Sequence, residues 1–369
     1  MRNLRWMALV SVFVFTATPV SAVEESFSEL KVSRFPSLMS SLRINPPLDF
    51  CGEPVPLGNP EVRERLEKQI LLALWDRAQV ILWIKRSGRH LPYIQKMLKQ
   101  HGLPDDLKYV AIVESALRPH IGSSAGAMGF WQFIQSTGRR YGLRIDRHID
   151  ERRNIFLSTE AAIAYFKKLF KDFNSWPLAA AAYNMGERGL QDAINEQKTT
   201  DYYNLYLPLE TQQYVFKILA IKLILSDLPK YGFHVAREDL YPPLKFDRVE
   251  IELPTSVHLQ LIAEASGTFF KTIKDLNPEI RGNYLVEGKR AVLIPQGTSE
   301  SFPARFKNLY QEFLARKEDA EKIIHVVERG DFLSGIAEKY RVPLSQLLRW
   351  NNLSINSKIH PGNRLIILK

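Results

Sequence analysis

The sequence predicts a mainly α protein in which a helical domain is followed by two small modules mixing strands and helices. Three observations predict it. Apolar residues recur with helical spacing through most of residues 61–235. Beyond Lys230 the texture changes to prolines and strand-like alternation, as in Val249-Glu250-Ile251-Glu252-Leu253 and Ala291-Val292-Leu293-Ile294. Finally, Ile262-Ala263-Glu264 with Leu276-Asn277 returns as Ile336-Ala337-Glu338 with Trp350-Asn351, an internal repeat at an offset of 74 residues (336 minus 262).

The 369 residues are 45% hydrophobic and 24% charged, the balance of a globular chain long enough for two or three domains. A formal charge of +10 suits an anionic partner. No strongly basic helix, zinc-finger spacing or RNA-binding signature accompanies that charge, so nucleic acid is not the expected partner. The eight histidines show no pairing at metal-ligand spacing, and no Gly-rich phosphate loop or nucleophile elbow appears. Neither a metal nor another cofactor is expected.

Residues 1–22 read as a secretory signal: Arg2 and Arg5, an apolar run from Trp6 to Phe15, then the small-residue site Val20-Ser21-Ala22. Its removal leaves a charge of about +8 (+10 minus 2). The apolar run is short for a membrane span, and an uncleaved anchor is the second reading. Residues 23–60, with scattered prolines and serines, read as an extended lead-in. Cys51 is the sole cysteine, so no intramolecular disulfide forms, and a buried structural thiol is expected.

From Pro60 helices dominate. Val62–Lys85 is long and amphipathic, with Leu66, Ile70, Leu71, Leu74 and Trp75 on one side, and Leu91–His101 is a second helix ended by Gly102. A third spans Pro104–Leu117, with Asp105 and Asp106 at its start. Leu107, Val110 and Ala111 mark its apolar face, and Glu114 falls on that face at i+7. A carboxyl facing the core loses solvent, which raises its pKa and suits a general acid. Periodicity alone leaves a second reading open, a partly exposed glutamate at the stripe's margin.

Next comes a run of small residues, Ser123 to Gly129, that lets backbone approach a ligand or turn tightly, then Phe130-Trp131-Gln132-Phe133. Small residues, aromatics and an amide beside a desolvated acid are the materials of a sugar-binding cleft, although core packing accounts for Trp131 and Phe133 taken singly. Ser158 or Thr159 caps the following helix, whose Ala162, Tyr165, Phe166, Leu169 and Phe173 share a face. Leu178 to Ala182 packs closely and delivers Tyr183 and Asn184, with Gly186 as a left-handed terminator. Core packing is an open reading for Tyr183, and a satisfied buried amide for Gln132. A last helix runs from Thr211 to Ser226.

Glu114-Ser115, Ser123-x-x-Gly126-Ala127-x-Gly129-x-Trp131-Gln132-Phe133, Ala182-Tyr183-Asn184-x-Gly186 and Glu210-Thr211-x-x-Tyr214-Val215 stand in this order. Together they resemble the motifs of the lytic murein transglycosylases, the membrane-bound D type most closely. The resemblance implies a lysozyme-like helical catalytic domain over 61–235. The C-terminal stretch, His325-Val326-Val327-x-x-Gly330-Asp331 through Leu365-Ile366-Ile367, resembles a lysin motif, a βααβ module over 323–369 that binds chains of N-acetylglucosamine. The earlier copy, 246–297, lacks the Gly-Asp pair and reads as a degenerate module. Residues 298–322 read as a helical or extended linker.

The family's chemistry needs one acid. A glutamate protonates the bond between N-acetylmuramic acid and N-acetylglucosamine, then deprotonates the muramoyl 6-hydroxyl, which closes a 1,6-anhydro ring. Carried onto this chain, Glu114 is that acid and base, and Ser123 orients it or the N-acetyl group. Gln132 and Asn184 hydrogen-bond the sugar, Tyr183 and Tyr214 position the reacting ring, and Ser115 is structural. No second carboxylate lies between Ser123 and Phe133 or in Ala182 to Met185. Glu210 reads as a helix-start residue, and Asp146, Asp150 and Glu151 as a solvated loop bridged to arginines. The expected partner is peptidoglycan glycan, met by a monomer at the cell envelope. Family members are often lipoproteins, but Cys51 lies well beyond Ala22 and lacks a lipid-attachment context. A goose-lysozyme-like hydrolase and a non-catalytic wall-binding scaffold are the competing readings; a chitin-directed enzyme is a weaker variant.

Overall fold

The computed structural model describes residues 36–318 and 322–368. The signal segment expected over residues 1–22 and the first part of the lead-in lie outside the described residues. The remainder of the lead-in joins the domain core, contrary to expectation. A short helix, α1 (Leu38–Ser41), precedes a tight turn formed by β1 (Asp49–Phe50) and β2 (Glu53–Pro54). Ile44, Leu48, Phe50, Val55 and Leu57 are buried in the main core at spacings that follow neither period. Cys51 sits in that turn, half-buried, and burial pushes its thiol above the ordinary range, which leaves it inert.

Two long helices follow, α2 (Pro60–Trp75) and α3 (Arg77–Gln100). Asn59 caps α2 by accepting from the Glu61 amide at 2.9 Å, and Pro60 fills its first position. The break between them falls at Asp76, which caps α3 through the Gln79 amide (3.1 Å), and not between Lys85 and Leu91 as the sequence suggests. α3 runs through Gly88 and Pro92 because both halves bury residues in one core, Val80 and Ile84 before them, Leu91 between them, and Ile94 and Leu98 after. A Cβ at Gly88 would stand 2.7 Å from the Leu240 Cβ, so only glycine lets residues 240–241 cross there. Trp75, assigned by periodicity to the apolar face, is 89% exposed.

The helix expected over Pro104–Leu117 is a 3-10 turn, Asp105–Tyr109, followed by α4 (Val110–Ser115). Then come α5 (Gln135–Arg140), α6 (Ile155–Phe173), α7 (Trp176–Met185), α8 (Glu187–Gln197) and α9 (Leu209–Ser226). α6 is capped by Asn154, which accepts from the Phe156 and Leu157 amides; Ser158 and Thr159 are buried within the helix. Ala179 to Ala182 are wholly buried where α7 packs between α6 and α9. Gly186 has φ +91° and ψ 146°, so it ends α7 in an extended, not a left-handed helical, conformation. Among the described residues no helix is long and apolar enough to cross a membrane.

Both C-terminal modules are antiparallel strand pairs enclosing two helices. The first has β3 (Phe246–Leu253), β4 (Val257–His258), α10 (Leu259–Ala265), α11 (Phe270–Leu276), β5 (Tyr284–Leu285) and β6 (Gly288–Pro295). The second has β7 (Lys322–Val326), α13 (Leu333–Lys339), α14 (Leu344–Trp350) and β8 (Arg364–Leu368). The repeated asparagine does the same work in each. Asn277 donates to the Ile273 and Leu293 carbonyls and accepts from the Leu293 amide; Asn351 does so with Leu347 and Ile366. Each thereby ties its second helix to its last strand. The linker takes the helical form of the two expected, as α12 (Phe302–Glu318), but it belongs to the first module: Phe302 is buried in that core with Phe306, Leu309, Tyr310 and Phe313 packed on it.

Candidate active site

Glu114 is the penultimate residue of α4, which stops abruptly because Ala116 (φ 52°) and Leu117 (φ 58°) are both left-handed. A non-glycine residue there costs about 1–2 kcal/mol, and burial of the Leu117 side chain in the core offsets it. The helix start is anchored too. Lys222 of α9 holds Asp106 at 2.8 Å and Asp49 at 3.1 Å, which fixes α4 against α9.

That packing sets Tyr214 of α9 against the acid: its phenol donates to Glu114 Oε1. Glu114 is half-buried. Loss of solvent raises its carboxyl from the usual 4.5 to about 7; the Tyr214 hydrogen bond and the Lys217 cation pull it down, while the Glu210 charge pushes it up. The carboxyl therefore titrates near neutrality, where both its acid and its base forms are populated. Both readings of the helix stripe are met in part, since the residue is half-buried and its carboxyl is desolvated.

The segment from Ser123 to Phe133 is built against this helix. The Ser115 hydroxyl donates to the Phe130 carbonyl at 2.8 Å, a structural contact. Ser123, itself exposed, accepts from the Ala127 amide through its hydroxyl (3.1 Å). Gln132 (φ 49°) places its amide nitrogen on the Ile121 and Gly129 carbonyls at 2.9 and 2.8 Å, so half of that amide is committed to holding the loop. The buried Trp131 donates to Thr159 at 3.1 Å and its carbonyl accepts from the Tyr183 phenol at 2.6 Å. Tyr183 stacks on Phe166 with ring centroids 4.6 Å apart, and burial, then the Glu114 charge, carries its phenol well above the ordinary range. Asn184 Oδ1 accepts from Thr211 at 2.7 Å, joining α7 to α9.

Glu114, Tyr214 and Tyr183 thus belong to one interacting group, Asn184 is joined to it through α9, and Gln132 shapes the flanking loop. Glu210, exposed in the first turn of α9, reaches Glu114 through its charge.

One expectation is overturned. Asp150 is 1% exposed, not solvated, and takes the Arg152 guanidinium in two hydrogen bonds of 2.8 Å. Burial works to raise Asp150, but the Arg152 hydrogen bonds and charge prevail and hold it below the usual carboxylate range. Arg152 also donates to the Gly126 and Phe133 carbonyls (2.8 and 2.9 Å), pinning the loop beside Glu114 at both ends. Gly129 is part of the same device: a Cβ there would lie 1.9 Å from the Arg152 carbonyl oxygen. Nothing local in the charged run marks the one pair that the tertiary fold buries. Among the described residues no cluster of three His, Cys, Asp or Glu side chains is placed to hold a metal ion.

A helical domain in which a desolvated glutamate is braced by a tyrosine, followed by two βααβ modules, defines a lysozyme-like enzyme class with appended C-terminal modules. Residues 92–206 match the Transglycosylase SLT domain, residues 325–368 the LysM domain, and residues 245–311 the LysM-like domain of lytic transglycosylase MltD. That last match runs into α12. The chain is 32% identical over 329 residues to the membrane-bound lytic murein transglycosylase D of Escherichia coli K12 and of Escherichia coli O6:H1, covering 86% of this chain and 72% of each relative. A more distant likeness is to the 70 kDa soluble lytic transglycosylase of Escherichia coli, at 15% identity and a TM-score of 0.34, over 47% of this chain and 32% of that one. The chain belongs to the membrane-bound lytic murein transglycosylase D family.

Proposed function

We propose that the chain is a peptidoglycan lytic transglycosylase in which Glu114 is both acid and base. In its protonated form, Glu114 gives its proton to the glycosidic oxygen between N-acetylmuramic acid and N-acetylglucosamine, and the C1–O bond breaks. The neighbouring N-acetyl oxygen stabilises the positive charge at C1. The Glu114 carboxylate then takes the proton of the muramoyl 6-hydroxyl as that oxygen bonds to C1, which closes the 1,6-anhydro ring and restores the acid. No water is consumed. A carboxyl poised near 7 is suited to both halves of this cycle.

The observation that carries the reading is that Glu114 loses solvent at the end of α4 while the Tyr214 phenol fixes one of its oxygens; desolvation prevails over that bond and raises the carboxyl to about 7. Tyr214 orients the acid, Tyr183 holds the Trp131 carbonyl and so the loop, and Ser123, Asn184 and the Gln132 amide oxygen meet the sugar. The C-terminal module holds the enzyme on the wall through a groove of about 520 Å3 lined by Phe332, Leu344, Ile355 and Ile359 among others. The reaction takes place in the periplasm, reached through the signal segment.

One observation keeps hydrolysis in view: Glu210 is a second carboxylate whose charge is felt at Glu114. Mass spectrometry of digests of purified peptidoglycan decides. The transglycosylase gives 1,6-anhydro ends; products heavier by one water make the enzyme a hydrolase; no products, with wall binding intact, leave a scaffold.

A further inference from the structure

The two modules share a frame but not a groove. At the offset of 74, Phe332, Leu344, Ile355 and Ile359 of the second correspond to His258, Phe270, Arg281 and Leu285 of the first. In the second module these positions line the open groove, with Phe332 63% and Ile355 73% exposed. In the first, the two walls are hydrogen-bonded to each other. Val257 pairs with Leu285 and His258 with Tyr284, and the Leu259 amide donates to the Asn283 carbonyl at 2.8 Å. The His258 ring lies on Phe270 (5.4 Å between centroids) and meets Tyr284 edge-on at 4.9 Å. The module fills its own groove.

What it offers instead is the loop after α11. Ile280 bridges to Ile149 of the helical domain in antiparallel fashion. The Asp150 amide donates to the Glu279 carbonyl at 2.8 Å, the Arg281 amide to the His148 carbonyl at 2.8 Å, and the Arg281 guanidinium to the Asp146 carbonyl at 3.1 Å. Ile149 is buried in the module's core beside Ile280, although it comes from the other domain. The contact is therefore a short shared strand with a buried side chain at its centre. It falls on the residues that carry the Asp150–Arg152 pair, whose guanidinium spans the Gly126 and Phe133 carbonyls.

We propose that the first module is an intramolecular clamp: its 279–281 segment, acting through Asp150 and Arg152, positions the Ser123–Phe133 loop that flanks Glu114. Calling that loop part of the active site rests on the transglycosylase reading; the mechanical coupling does not. Ile149 and Ile280 are positioning residues, remote from substrate.

The test uses the full chain with Ile149→Asp, which puts a charge into the shared core from the helical-domain side. Hydrogen exchange of the amides in 123–133, read without substrate, is expected to quicken at least tenfold. Turnover of soluble glycan fragments should fall about tenfold, in kcat more than in KM, as expected of a loop displaced from its working geometry. Pelleting with insoluble wall should be unchanged, and Ile149→Val should restore every value. The double variant Ile149→Asp/Arg152→Ala should be no worse than Arg152→Ala alone, because both act on one path. Unaltered loop exchange in Ile149→Asp overturns the clamp, as do additive losses in the double variant. Should Ile149→Asp fail to accumulate, Arg281→Ala, which leaves both cores intact, carries the same test: about twofold faster exchange supports the clamp, and none overturns it. An exchange response in a protein that shows no turnover would sink the transglycosylase reading while leaving the clamp standing.

Discussion

Loss of solvent has opposite outcomes at two acids of the helical domain. Glu114 lies against a phenol and is raised to about 7, so that it titrates near neutrality. Asp150 is more fully buried, yet a bidentate arginine holds it ionised below the usual range. Desolvation pushes both upward, and the bonded partner decides the outcome. A buried carboxylate is thus no evidence of an acid catalyst until its partner is known. The two also answer pH in opposite senses. The depressed Asp150 contributes stability that is present above its unfolded value of 3.8 and is lost as pH falls through its folded value. The raised Glu114 contributes stability that is present below 4.5 and lost as pH rises towards about 7.

The largest stability effect should come from breaking the ion pair. Arg152→Ala leaves Asp150 charged, buried and without its bidentate partner, and frees two loop carbonyls; the expected loss is about 3–5 kcal/mol by denaturant unfolding at pH 7. A loss below 1 kcal/mol would mean that water reaches the pair and that the contrast with Glu114 is false. Next in size is Glu114→Gln, which should act in the other direction. Keeping a carboxyl at about 7 instead of 4.5 costs the folded state about 3 kcal/mol above pH 7. The neutral isostere should therefore be more stable than the parent at pH 8 and equal to it near pH 4, while turnover is abolished. Equal stability at both pH values would remove the case for a desolvated acid.

The sequence made much of this legible, and unevenly. Helical spacing revealed α6 and α9, and it placed Glu114 on the buried side of its helix; the asparagine repeat announced two related modules. The helical signals are local, carried by residues within one or two turns, and the repeat is a pattern of the sequence itself. What escaped was long-range. Asp150 and Arg152 look like their solvated neighbours Asp146 and Arg144 until the first module closes over them. Ile44 to Leu57 bury without any period, and Ser158 resembles a cap only until Asn154 is seen to take that place. Nor does any motif reveal that His258 and Tyr284 close a groove that their counterparts leave open.

Two smaller predictions sharpen the Glu114 side of the comparison, because its partners push its pKa in opposite directions. Tyr214→Phe removes the hydrogen bond that favours the carboxylate, so the acid should titrate higher and the alkaline limb of kcat should move up in pH. Turnover should fall about tenfold as the carboxyl loses its fixed orientation. A limb moving down would show that the phenol donates elsewhere during turnover.

Glu210→Gln removes the anion that raises Glu114, so the same limb should move down, by roughly a few tenths of a pH unit for an exposed charge in water. Turnover at the optimum should change by less than about twofold, since an electrostatic neighbour contributes no reacting atom. The shift should shrink as salt is added, because the charge is exposed on the first turn of α9. A hydrolase makes the opposite demand. If Glu210 activated water or stabilised the cation directly, its amide would abolish turnover as completely as that of Glu114 does, and no added salt would matter. The variant with the smallest expected effect is therefore the one that separates a one-acid site from a two-acid site.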